Sequence, residues 1–312
     1  MNRNIVRLLS CIAALGTGLA HAEALGPLVT PAGLDAVLGG DNAPVVLDIR
    51  AEGYDAGHIA GAVSAPYGLF RGPAGNPGAV PPVETLETTY EGLGLDPARP
   101  VVVVSQGDTD TDFGASARVY WTLKSSGFSD LSILNGGAMA WVNAGLPLSD
   151  SAVIPEATEL SIIWDNRWTA TTDEVARIVG GEEKAVLIDA RPQAFFDGKR
   201  SHGAARRPGT LPGAENLPYT TFFRPGATAI DTSGDIAALK QALGVDADEG
   251  VVSFCNTGHW AATDWFALSE VAGIENVRLY PGSMVEYSQT DGEMANVPGL
   301  FGNLLHQLKG GN

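Results

Sequence analysis

The chain carries one pattern of residues twice, and this repetition restricts its possible folds more than any other feature. Val45-Val46-Leu47-Asp48-Ile49-Arg50 is echoed by Val186-Leu187-Ile188-Asp189-Ala190-Arg191, each a short apolar strand pattern closed by Asp-x-Arg. Gly57-His58-Ile59-Ala60-Gly61-Ala62 through Pro66-Tyr67 returns as Gly209-Thr210-Leu211-Pro212-Gly213-Ala214 through Pro218-Tyr219. Val101 to Ser105 returns as Val251 to Cys255, and Gly137-Ala138-Met139 as Gly282-Ser283-Met284. The offsets are 141, 152, 150 and 145 residues, so only loops change length between two copies of one unit. In each copy, Val/Ile/Leu-rich strands alternate with helical patterns such as Ala115 to Ser125 and Ala261 to Val271. That alternation predicts an α/β fold: two tandem domains, each a mainly parallel sheet flanked by helices.

The ends of the chain set its context. Arg3 and Arg7, the apolar run Leu8 to Leu19 and the small-residue site Ala20-His21-Ala22 form the pattern of a secretory leader over residues 1–22. A lipid attachment at Cys11 is disfavoured by the few apolar residues before it. The expected domains are then 23–150 and 151–312, with the join near Leu148 to Pro155, where Pro147, Ser149, Asp150, Ser151 and Pro155 interrupt both periods. An exported protein, periplasmic in the first instance, is expected. No other stretch approaches the roughly 20 apolar residues of a spanning helix.

Removal of Arg3 and Arg7 leaves 17 basic against 36 acidic residues, a net charge of −19. Such a chain repels phosphate backbones and anionic lipid, so neither nucleic acid nor membrane is expected as a partner. An anionic small molecule would need a local basic pocket. The densest basic segment holds Lys199, Arg200, His202, Arg206 and Arg207.

Cys255 is the one cysteine that remains after the leader, and it ends the apolar strand Val251 to Phe254 before Asn256-Thr257-Gly258-His259-Trp260-Ala261 opens a helix. An unpaired thiol in an exported chain is either reactive or destined for an intermolecular bond. The alternative is a small buried hydrophobe. In α/β sheets ligands sit beyond the carboxyl ends of strands, which is where Cys255 falls. A loop wrapped around the sulfur would aim backbone N–H groups and the positive helix end at it and favour a thiolate or persulfide. Gly258 allows close backbone approach, and Asn256 and Thr257 serve as polar contacts or as turn and cap residues.

Taken together, Asp189-x-Arg191, Gly209-x-x-Pro212-Gly213-Ala214 with Asn216-x-Pro218, the loop Cys255 to Ala261 and Tyr280-Pro281-Gly282-Ser283 make the chain resemble the rhodanese family of tandem-domain sulfurtransferases. The resemblance covers about Leu28 to Gln289. It implies two rhodanese-like domains, of which the second, with Cys255 as catalytic residue and Asn256, Thr257, Gly258, His259, Trp260 and Ala261 as its active loop, carries a sulfane sulfur as a persulfide. It further implies a small anionic donor such as thiosulfate, a thiol, cyanide or protein acceptor, and neither cofactor nor metal.

The first copy departs from the family pattern: Ser105 stands where Cys255 stands in the second, so the first domain reads as inactive and as one wall of a cleft. The active loop also lacks the basic residues of thiosulfate users and the small residues with serine of mercaptopyruvate users. Arg200, Arg206 and Arg207, with Arg191, are therefore the candidates for binding the donor, while Asp189 and Arg191 also read as a brace. His259 is a candidate source of charge or a proton, against a solvent-facing loop residue, and Trp260 lines the pocket or covers its mouth. Asp108, Asp110 and Asp112 have calcium-loop spacing, but Gly114 falls one place late and no Glu closes the set, so they read as a solvated acidic turn.

Rival chemistries are weaker. A phosphatase loop needs an Arg that is absent from Asn256 through Val271, and a thiol–disulfide oxidoreductase needs a second cysteine. A non-catalytic persulfide carrier remains open.

Overall fold

A computed structural model describes residues 25–234 and 250–299. The expected leader at 1–22 and the extreme carboxy-terminal residues lie outside the described range.

Two parallel sheets form, one per repeat. The first orders its strands β1 (Leu28–Val29), β5 (Leu131–Leu134), β4 (Val101–Val104), β2 (Val45–Asp48), β3 (Val63–Ser64). The second orders β7 (Glu215–Asn216), β6 (Ala185–Asp189), β8 (Gly250–Phe254), β9 (Val277–Leu279). The order β5-β4-β2-β3 is thus repeated as β9-β8-β6-β7, with every pair parallel. Even the edge strand has a counterpart. Where β1 pairs with β5 over two residues, the second sheet keeps one parallel bridge, Thr169 to Leu279. The central strands β2, β4 and β5 are buried along their whole length, which is why they read as unbroken apolar runs rather than as alternation.

The helices α1 (Pro31–Asp35), α2 (Val83–Gly92), α3 (Asp112–Ser125) and α4 (Gly137–Asn143) belong to the first lobe. The second lobe carries α5 (Thr172–Val179), α6 (Gln193–Phe196), α7 (Trp260–Phe266) and α8 (Ser283–Tyr287). The helix expected from Ala261 to Val271 is realised as α7 followed by a π-helical turn at Ala267–Val271, in which Ala272 N donates to Ala267 O at 2.8 Å.

Residues 149–162 run along the first lobe: Ser149 exchanges backbone bonds with His58, Thr158 Oγ1 donates to Leu95 O, and Ile162 N donates to Glu87. The join expected near 148–155 falls in this segment, and the chain meets the second sheet at Thr169.

The lobes are fused through α3 and α7. Tyr120 meets Phe266 edge-on at 5.0 Å between ring centroids, Phe113 meets Phe266 at 5.4 Å, and one hydrophobic core runs through both sheets. Each aromatic pair adds about 0.5–1.5 kcal/mol beyond the area it buries. At the rim of this contact Lys124 pairs with Glu270 at 2.8 Å, and Tyr120 OH donates to the same carboxylate at 2.8 Å. The carboxyl end of β8 is held against the first lobe by this packing, which determines what surrounds Cys255.

Candidate active site

Cys255 follows β8 directly and is 1% exposed. The loop after it is held in place by α8. Ser283 Oγ accepts from Cys255 N at 3.0 Å and from Gly258 N at 3.1 Å while donating to Tyr280 O at 2.8 Å. Met284 N donates to Cys255 O and Val285 N to Asn256 O, closing the loop onto the start of α8. Ser283 makes these bonds at φ 51, a left-handed conformation that costs a non-glycine residue roughly 1–2 kcal/mol.

The first lobe repeats the frame without the hydroxyl. Ala138 N donates to Ser105 O, Met139 N to Gln106 O, and Gly137 occupies the matching position at φ 63. Ser283 was visible in the sequence only as part of Tyr280-Pro281-Gly282-Ser283. The sequence repeat sets Gly137 beside Gly282, whereas the backbone bonds set it beside Ser283, one residue on, so the repeat carried no signal for this hydroxyl.

With the Cys255 and Gly258 amides committed to Ser283, the N–H groups of Asn256, Thr257, His259, Trp260 and Ala261 have no oxygen acceptor among the described residues. Gly258 must be glycine. It sits at φ +67, and a Cβ there would come within 2.5 Å of both Arg118 Nη1 and Pro281 O.

Beneath the loop, Asp189 and Arg191 form the expected brace. Arg191 Nη2 and Nε contact the two Asp189 oxygens at 2.6 and 2.8 Å, Nη2 also donates to Gly209 O, and Nη1 reaches Asn256 Oδ1 at 3.3 Å. Thr210 Oγ1 donates to Asp189 at 2.7 Å. The same construction, Arg50 with Asp48 and Gly57 O, stands in the first lobe, so the Asp-x-Arg repeat is a structural device that in the second copy reaches the active loop. Arg191 is fully engaged in it.

His259 is half-buried and bridges the lobes instead of facing solvent. Tyr67 OH lies 3.0 Å from Nδ1, and Nε2 lies 2.8 Å from Thr111 O. A carbonyl only accepts, so Nε2 carries the proton and Nδ1 accepts from the phenol. Burial first, then the cationic charge of Arg71, pushes the His259 pKa from 6.5 down to about 4, so the ring is neutral at physiological pH. Burial likewise raises Tyr67, which keeps its proton.

Trp260 is clamped beside it: its ring stacks on Tyr219 at 5.2 Å and 5°, and Nε1 donates to Thr111 Oγ1 at 2.7 Å. Tyr219 OH donates to Asp110. Of the acidic stretch expected as a solvated turn, Asp108 is exposed and Asp112 accepts from Asp108 N and Thr109 N within the turn, while Asp110 makes the interlobe contact.

The candidate basic residues separate. Arg207 donates to the carbonyls of Ser288, Thr290 and Gly292 and holds the chain after α8. Arg206 is exposed. Arg200 is exposed and lies 5.1 Å over the Phe195 ring, which in turn meets Trp260 edge-on. The cations whose charge falls on Tyr67 together with Cys255 come from the first lobe: Arg71 and Arg118.

One further group went unnoticed in the sequence. Asp264 on α7 is fully buried, and neither carboxyl oxygen has a hydrogen-bond partner. Burial above all, then the charges of Cys255 and Asp189, raise its pKa well above the carboxylate range and keep it protonated.

Cys255 lies covered where the two lobes meet, with 1% of the residue exposed.

This geometry has relatives. The Rhodanese-like domain model matches residues 30–144 and again 171–290. The 3-mercaptopyruvate sulfurtransferase of Escherichia coli is 30% identical over 251 residues, 80% of this chain and 85% of that protein. The sulfur carrier protein TtuD of Thermus thermophilus is 28% identical over 69% of this chain and 75% of its own length. The crystal structure of SseA from Escherichia coli, a protein with the rhodanese fold, superposes with a TM-score of 0.71 at 25% identity, covering 83% of this chain and 98% of SseA. With the family model matched in both halves and one strand order repeated in two parallel sheets, the chain belongs to the rhodanese-like domain family as a tandem member.

Proposed function

We propose that the protein is a sulfurtransferase that moves a sulfane sulfur from a small anionic donor to a thiophilic acceptor through a persulfide on Cys255. The reading is carried by the position of Cys255: it ends β8 in the second rhodanese-like domain, under a loop with five backbone N–H groups not engaged elsewhere. Unengaged amides in the loop that follows the thiol are available to stabilise an anion there, whether thiolate or persulfide. The thiolate attacks the outer sulfur of a donor such as thiosulfate. The donor's S–S bond breaks, sulfite departs with the electron pair, and an acceptor such as cyanide then removes the sulfur from the persulfide and restores the thiolate.

The first domain supplies no nucleophile, since Ser105 occupies the equivalent place. Its contribution is to fix the active loop through Thr111, Tyr67 and Arg118. An exported, periplasmic location accords with the leader pattern at 1–22.

Incubation with thiosulfate and cyanide should yield thiocyanate, and Cys255→Ser should abolish it. Normal turnover by that variant would refute the mechanism. The 1% exposure of Cys255 favours one second reading, a carrier loaded and unloaded by partner proteins. Persulfide on Cys255 with no turnover of small donors would support the carrier over the enzyme.

A further inference from the structure

Two guanidinium groups of the non-catalytic lobe stand at the active loop without a counter-charge. Arg118, on α3, is 0% exposed. Its Nη2 donates to Gly78 O at 2.8 Å and its Nη1 lies 3.5 Å from Gly258 O, while Nε is buried with no partner. Arg71 follows the short helical turn Tyr67–Phe70, lies 5.1 Å over the Tyr67 ring, and keeps its Nη1 buried and unpartnered. Neither makes an ion pair with a carboxylate among the described residues, in a chain with 36 acidic side chains to choose from. A buried unpaired cation costs several kcal/mol. The cost is visible in Arg118, whose pKa falls to about 9 through burial first and then through repulsion from Arg71.

The geometry points to Arg71 and Arg118 as the residues that select the sulfur donor, by holding its anionic, non-transferred group beside Cys255. The reading of the site as a sulfurtransferase enters only in naming the donor. With thiosulfate, a thiolate of charge −1 meets a donor of charge −2. The Cys255–sulfur bond forms, the S–S bond of the donor breaks, and sulfite leaves as −2, so the persulfide carries −1. The total of −3 is constant through the step and faces two cations, which is the charge the orphaned guanidinium nitrogens lack. A neutral donor gains nothing from them. The lobe that lost its nucleophile is thereby retained as the specificity half of the site, and the basic segment Lys199 to Arg207 is not needed for this role.

Alkylation of Cys255 separates this inference from the reading beneath it, because it needs no sulfur transfer. Iodoacetate and iodoacetamide differ by one charge, and the ratio of their rates cancels the thiolate fraction. In the full-length protein Arg71→Gln should lower the iodoacetate-to-iodoacetamide ratio and raise the KM for thiosulfate, each by roughly tenfold, while Arg71→Lys should recover most of both. In the unaltered protein, sulfate should protect Cys255 from iodoacetamide, and chloride at matched ionic strength should not. An unchanged ratio and KM in folded Arg71→Gln, or a lack of sulfate protection, would overturn the assignment. Absence of thiocyanate formation by the unaltered protein, with the alkylation ratio and sulfate protection as expected, would overturn the sulfurtransferase reading and leave an anion site at Cys255.

Discussion

At the scale of the residue, Ser283 shows how one hydroxyl holds the reactive loop. It offers one oxygen to two buried amides, Cys255 N and Gly258 N, from a left-handed backbone. Two opposing costs can be weighed. Deleting the oxygen strands two donors, at roughly 1–3 kcal/mol each before relaxation, whereas the strain relieved by glycine is only about 1 kcal/mol. The hydrogen bonds win. Ser283→Ala, which loses the oxygen and keeps the strain, should destabilise the protein by about 3 kcal/mol. Ser283→Gly, which loses both, should cost about 2 kcal/mol. Urea unfolding of the two variants checks the ranking, and an alanine variant as stable as the parent would show that the amides are satisfied some other way. Arg191 was readable from sequence as a brace because Asp-x-Arg occurs twice. Ser283 was not, because its structural counterpart in the first lobe is a glycine and a hydroxyl acting on main chain 25 and 28 residues away leaves no periodic trace.

At the scale of the element, the stretch after Ser105 has changed its use. The residues that no longer form a nucleophile loop, Asp110 and Thr111, receive hydrogen bonds from Tyr219, His259 and Trp260 of the other lobe. The expectation of a solvated acidic turn holds at Asp108 and needs correction at Asp110, because spacing along one strand–helix junction cannot reveal a partner more than 100 residues away. The same clamp makes His259 a sensor of acid. An unfolded histidine takes up its proton near pH 6.5, and the folded one only near 4. Between those values the unfolded state binds more protons, so stability is present above 6.5 and is lost as pH falls toward 4, by at most about 3 kcal/mol. The melting temperature of the protein should therefore exceed that of His259→Gln at pH 7, with the gap narrowing by pH 4.5. A gap that stays constant would mean that His259 is not held neutral by Tyr67 and Thr111.

At the scale of the molecule, the tandem architecture was legible because the repeat covers β2, β3 and β4 and their counterparts β6, β7 and β8, and loop-sized changes in offset left the strand order intact. The position of the nucleophile was legible for the same reason: strand ends in parallel sheets are where ligands bind. What surrounds the active loop was not, since Arg118 and Tyr67, with Arg71 over the Tyr67 ring, reach it from the first lobe across the packing of α3 on α7, a contact between residues some 150 positions apart. The basic segment before Gly209 attracted attention by composition alone, and the structure gives Arg207 to carbonyls and leaves Arg206 in solvent. Sulfur transfer requires that Cys255, only 1% exposed, take up sulfur. Intact-mass measurement after exposure to thiosulfate tests this most directly: the protein should gain one sulfur atom that a reductant removes, and Cys255→Ser should gain none. A mass that stays unchanged with every sulfane donor, or an equal gain in the serine variant, would contradict it.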